Sequence, residues 1–73
     1  MKQKRQIQSV AEKIMKLTDF LKKPKSAEEI KKELKDRFGY NEKLDDIRVN
    51  LLYLLRREKI KRKKEDNIYK YHI

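Results

Sequence analysis

Apolar residues recur at helical spacing three times along this chain, and then the period changes to that of a strand. In the first stretch Ile7, Val10, Ala11, Ile14, Leu17 and Leu21 fall three and four apart, with Thr18 beside them on the same face. Lys22, Lys23 and Pro24 close it, because basic residues suit the carboxyl end of a helix dipole and proline pushes its predecessor out of the α region. The pattern predicts helix 1 over about 5–22. Ser26-Ala27-Glu28-Glu29 is a capping box, Ala27, Ile30, Leu34 and Phe38 continue a stripe, and Gly39 is a left-handed terminator. Helix 2 is expected over about 27–37.

Tyr40-Asn41-Glu42-Lys43 reads as polar connection, followed by the longest stripe: Leu44, Ile47, Leu51, Leu54 and Leu55. Helix 3 is expected to start between Asn41 and Asp46, each a capping residue type, and to cover about 44–59. Asp45 and Asp46 at its start and Arg56 and Arg57 near its end agree with the helix dipole. From Ile60 onward a basic run, the turn-forming Glu65-Asp66-Asn67 and the β-branched and aromatic Ile-Tyr-Lys-Tyr-His-Ile predict a β-hairpin over about 60–73. Such a hairpin is not stable alone and must pack on the helices.

The expected fold is therefore mainly α with a C-terminal β-hairpin, a single domain over 1–73. At 73 residues the chain buries only about 60% of its unfolded surface, which leaves no room for a large enzyme cleft. With no cysteine there is neither a disulfide framework nor a thiolate zinc site. No apolar run approaches the roughly 18 residues of a bilayer span. MKQKRQIQ leads into an amphipathic pattern and does not read as a signal peptide, so a soluble, cytoplasmic protein is expected. Richness in Lys, Ile and Tyr suggests a thermophile source.

Charge narrows the function. The net charge is +10, and it is segregated: residues 1–25 hold eight Lys/Arg against two acids, 26–46 five against seven, and 47–73 nine against three. Two basic blocks around an acidic middle imply one positive face, and nucleic acid is the commonest polyanion in a cell. A charged surface without a polyanion partner is the alternative.

Three helices followed by a basic hairpin resemble a winged helix-turn-helix domain of the kind found in small transcriptional regulators. Ile47, Leu51, Leu54 and Ile60 match a phrase of that family in which an apolar residue is followed at +4, +7 and +13 by others, the last opening the wing. Ser26-Ala27-Glu28-Glu29-Ile30 resembles the opening of the family's first helix-turn-helix helix. Two departures stand out: Arg57-Glu58-Lys59 where the family commonly has Gly, and a longer link from Gly39 to Ile47. The resemblance implies double-stranded DNA as partner, with helix 3 in the major groove and the wing on the backbone.

On a helical projection with Leu44 at zero, Val49, Asn50, Tyr53 and Arg57 fall on the face of helix 3 away from the stripe, as does Asp46. The first four can read base edges or touch a thymine methyl; Asp46 is assigned to capping. Each is otherwise an ordinary solvated residue. Lys61, Arg62, Lys63 and Lys64 repel one another in sequence, and phosphate contact is the function that would offset this. Lys23, Lys25 and Ser26, with Lys22, stand at the amide-rich start of helix 2 as a second phosphate contact.

Nothing else carries chemistry. His72 is the only histidine and makes neither a metal site nor a triad, the adjacent acid pairs point in different directions, and no Gly-rich phosphate loop exists. No cofactor, metal, small-molecule substrate or enzymatic activity is expected. Tyr69 and Tyr71 either cover the core or stack on bases. Ile7, Val10, Ile14, Leu17 and Leu21 form a short heptad ladder with Met15 and Phe20 beside it, either packing on helices 2 and 3 or joining two copies in a homodimer. The leading expectation is a sequence-specific transcriptional regulator; the alternative is the same module binding RNA or a protein through its basic face.

Overall fold

Serines set the starts of two helices. Ser9 caps α1 (Val10–Ile14): its Oγ accepts from the Glu12 amide at 3.1 Å, and the Glu12 carboxylate accepts from the Ser9 amide at 3.0 Å. Ser26 and Glu29 make the same reciprocal box at the start of α2 (Ala27–Phe38), at 3.2 and 2.8 Å. Each box satisfies two amides that a helix start otherwise leaves without acceptors. The computed structural model describes residues 9–73.

The first helix is shorter than its apolar pattern predicts. It is α-helical over Val10–Ile14, then tightens into 3₁₀ turns at Met15–Leu17 and, past Thr18 and Asp19, at Phe20–Lys22. The expected start near residue 5 lies outside the described residues, as does Ile7. The apolar face survives the tightening because side chains three apart eclipse in a 3₁₀ turn. Ile14, Leu17 and Leu21 are completely buried in the core of the protomer, with Val10, Met15 and Phe20 half-buried against it. Of the two expectations for this ladder, packing on the chain's own helices accounts for Ile14, Leu17 and Leu21.

Lys23 is extended before Pro24 (φ −113°, ψ 146°). It leads into β1 (Lys25–Ser26), a strand that the pattern did not predict, since two polar residues carry no strand periodicity. The expected hairpin is in fact part of a three-stranded antiparallel sheet of order β1-β3-β2, with β2 at Lys61–Glu65 and β3 at Ile68–His72. Lys25 pairs with Tyr71 and Ser26 with Lys70, and the Ile73 amide donates to the Leu21 carbonyl at 3.0 Å, so the residue after β3 is tied to the 3₁₀ turn at Phe20–Lys22.

α2 ends at Gly39, whose amide donates to the Lys35 carbonyl at 2.9 Å and whose φ of +77° turns the chain so that the Tyr40 amide reaches the Leu34 carbonyl at 3.2 Å. The long connection that follows is anchored on α1. Lys16 Nζ donates to the Tyr40 hydroxyl at 2.9 Å, Lys13 pairs with Glu42, and Lys13 Nζ lies 4.7 Å above the Tyr40 ring. α3 covers Leu44–Arg56. Its N-cap is Lys43, with no side-chain cap, so neither Asn41 nor Asp46 caps it; Asp45 and Asp46 instead sit in the first turn, where the dipole favours them. It stops three residues short of the expected end. The Lys59 amide donates to the Leu54 carbonyl at 2.9 Å and the Glu58 amide to Leu55 at 3.0 Å, a Schellman closure with Glu58 at φ +59°. The position where glycine was expected is thus left-handed, and glutamate occupies it.

Asp66 (φ +51°) and Asn67 (φ +65°) form the two-residue turn of the hairpin, the geometry of a type I′ turn. α1 and α2 both pack on α3, and Ile60 and Tyr71 add the sheet to the core around Ile30, Leu34, Ile47, Leu51 and Leu54. Arg37 ties α2 to the preceding segment, 2.8 Å from both Asp19 and Glu33, and the Arg37 hydrogen bond holds the Asp19 carboxyl below its ordinary range. Among the described residues no polar side chain is buried, and no helix is long and apolar enough to cross a membrane.

Candidate nucleic-acid interface

The buried face of α3 is not centred where its leucines suggest. Ile47, Leu51 and Leu54 are buried, whereas Leu44 and Leu55 are only half-buried. At 100° per residue this turns the buried face about 50° away from Leu44, toward Leu54. The outward face is then centred on Val49 and Arg56, with Asp45, Leu52 and Tyr53 beside it and Arg48 on the same flank as Leu52. Val49 is 64% exposed, Tyr53 49% and Leu52 40%. Of the other two expected base readers, Asn50 is drawn toward the core and Arg57 stays exposed at the helix end. Asn50 is half-buried and spends its Nδ2 on the Asp46 carbonyl at 2.8 Å. Arg57 follows the helix end with its guanidinium 5.4 Å from the Tyr53 ring.

The hairpin sorts its cations by strand alternation. Arg62 faces Tyr71 and Lys64 faces Tyr69, so these four share the face that buries Tyr71. The Arg62 guanidinium lies 4.0 Å from the Tyr69 ring centroid and Lys64 Nζ 5.7 Å from it. Lys61, Lys63, Glu65 and Lys70 share the other face. There Glu65 sits 3.3 Å from both Lys63 and Lys70, and their hydrogen bonds, Lys63 first, hold its carboxyl below the ordinary range. The four basic residues of β2 are therefore not equivalent: Lys63 is partly neutralised, while Lys61, Arg62 and Lys64 have no acidic partner among the described residues.

These two surfaces meet. Arg48 and Leu52 from α3, Ala27 and Glu28 from the start of α2, and Arg62, Asn67, Ile68, Tyr69 and Tyr71 from the hairpin line one open groove of about 430 Å³. A single ion pair crosses it, Arg48 to Glu28 at 3.3 Å between exposed side chains. The start of α2 is less suited to phosphate than its lysines imply. The Ser26 hydroxyl oxygen is engaged as the cap, Lys25 Nζ stands 4.6 Å over the Phe20 ring, and Glu28 and Glu29 put two carboxylates into the first turn. Lys23 remains exposed.

Arg48, Leu52 and Arg56 escape the sequence reading because the projection was referenced to Leu44. Their signal is the half-burial of Leu44 and Leu55, which only packing reveals. His72 is half-buried with Nδ1 3.1 Å from the Ile73 carbonyl, and it meets no other functional group of the surface. In comparison with protein-family models, with curated proteins and with solved structures, the chain matches none.

Proposed function

We propose that this chain is a winged-helix DNA-binding protein, a transcriptional regulator that lays α3 in the major groove and the β2–β3 hairpin along the backbone. One observation carries the reading: the Arg48–Leu52 flank of α3, next to the outward face of Val49 and Arg56, and Arg62 of the hairpin border one groove, so a single polyanion can touch both elements. The order α1-β1-α2-α3-β2-β3 supports it, since a short strand before α2 pairs with the hairpin and holds it beside α3. In this arrangement Arg56 offers a guanidinium to guanine, Val49 a methyl surface to thymine and Tyr53 a ring and hydroxyl to base edges. Arg62 and Lys64 neutralise phosphates and fix register without carrying sequence.

The test is selection of binding sites from a random duplex pool, followed by competition. A regulator enriches one motif and prefers it to random duplex by about a thousandfold or more. A pool that stays random, with equal binding to all duplexes, would remove the regulator reading.

A second reading rests on a different feature of α3. Val49, Leu52 and Tyr53 are large apolar groups left exposed on one helix, and such patches mark partner surfaces. On this reading the module meets a protein or an RNA through the same side. It is favoured if substitution of Val49 and Tyr53 leaves duplex affinity unchanged.

A further inference from the structure

The groove between α3 and the hairpin has properties that duplex binding does not require. Tyr69 lies on the same strand face as the buried Tyr71, yet it is 44% exposed, with Leu52 across the groove 40% exposed. An exposed leucine and an exposed ring that only cationic side chains approach line one concavity and leave apolar surface in water. The volume, about 430 Å³, falls within the range of small-ligand sites. Charge is equally specific. Arg62 covers the Tyr69 ring at 4.0 Å from one strand, Arg48 stands on α3, and the only acid in the lining is Glu28, already paired with Arg48 at 3.3 Å. A flat, apolar, anionic group complements this lining.

We infer that the groove holds one unpaired nucleotide of a DNA strand, its base against Tyr69 and Leu52 and its phosphate between Arg48 and Arg62. The inference rests on the DNA-binding reading and adds a preference within it. In a duplex both faces of every base are covered by stacking and only the edges are offered, so a paired strand cannot use an aromatic floor. A base at a strand end or in an unpaired position can. Its phosphate then competes with Glu28 for Arg48, a displacement that an exposed ion pair allows because such pairs are weak.

The experiment compares a blunt duplex of random sequence with the same duplex carrying a short thymidine overhang, each labelled at the far end and followed by fluorescence anisotropy. The wild type is expected to prefer the overhang by about tenfold, the scale of one base stacked on an aromatic side chain. Tyr69→Ala and Leu52→Ser should each remove that preference, read as the ratio of overhang to blunt affinity for the same variant, with thermal unfolding recorded to confirm that both variants fold. Equal wild-type affinity for the two DNAs overturns the groove site and leaves duplex binding standing. A preference that survives in both variants places the unpaired base elsewhere and also overturns it. Binding of neither DNA removes the site and the DNA-binding reading together.

Discussion

Strand register divides the basic run of β2 into two pairs, and the pairs should respond differently to salt. Arg62 and Lys64 share the groove-side face with Tyr69 and Tyr71, whereas Lys61 and Lys63 point the other way, with Lys63 3.3 Å from Glu65. If the hairpin lies on the backbone by its groove side, Arg62 and Lys64 each displace close to one counterion. The double variant Arg62→Gln, Lys64→Gln should then flatten the slope of log affinity against log salt by about 1.8. Between about 50 and 200 mM salt the loss of affinity should shrink roughly tenfold relative to wild type. Gln retains most of the stem over the Tyr69 ring, so the control, thermal unfolding, should change little. Lys61→Gln with Lys63→Gln should flatten the slope by less than one, because Glu65 already screens Lys63 and the face is turned away. Anisotropy titrations of a labelled duplex at four or five salt concentrations measure both. Equal slopes for the two variants, or a larger effect from Lys61 and Lys63, would refute the assignment of the groove side to DNA.

Three further outcomes follow from the geometry. Glu58 occupies the left-handed position of the α3 closure at φ +59°, where a side chain is strained, so Glu58→Gly should stabilise by about 1 kcal/mol and raise Tm by about 4–8 °C in calorimetry; an unchanged or lower Tm would show that the closure is relaxed in solution. Ile14→Glu puts a carboxylate into a fully buried position with no partner and should cost several kcal/mol, a large share of the stability of so small a domain. Circular dichroism should then show an unfolded chain at every protein concentration, whereas a folded monomer would return Ile14 to an intermolecular surface. The Arg37 hydrogen bond lowers the Asp19 pKa in the folded state, so its contribution is present in full above the ordinary carboxylate range and is lost as pH falls through the lowered value. In an NMR titration Asp19 should have a midpoint below the usual aspartate value that rises toward it in Arg37→Gln, and an ordinary midpoint in the wild type would mean the bridge is not held.

Local rules predicted what local chemistry decides. The Ser26–Glu29 box and Gly39 bound α2 almost where the pattern placed it, because a hydroxyl three residues before a carboxylate and a residue tolerant of positive φ act within one turn. The hairpin turn was legible for the same reason: Asp66 and Asn67 are among the few side chains that accept left-handed backbone. The Ser9–Glu12 box has the same spacing, but the apolar periodicity runs through it from Ile7, so the pattern does not mark it as a helix start. Periodicity of three and four reports a face and not a helix type, so the 3₁₀ segments after Ile14 left no mark on the pattern.

The candidate site was harder to read because it depends on which flank of α3 meets the hairpin. That is fixed by β1, whose two residues pair Lys25 with Tyr71 and so hold the hairpin beside the start of α2, and nothing in Lys25-Ser26 signals a strand. Once the hairpin is placed, its sheet competes with the leucines of α3 for the core. Tyr71 and Ile60 join Leu51 and Leu54, and the burial of α3 shifts toward Leu54 and away from Leu44. A turn of about 50° is half a residue step on a helix, too small to alter which residues look apolar and large enough to half-bury Asn50 and bring Arg56 to the middle of the exposed side. Which single residues fall on the exposed face of α3 therefore depends on tertiary packing, while the existence of that face follows from the pattern. Duplex-binding assays of Arg56→Gln against Asn50→Ala measure the difference. The first should cost roughly 1–3 kcal/mol on a selected site, the second much less, and the reverse order would restore the face centred opposite Leu44.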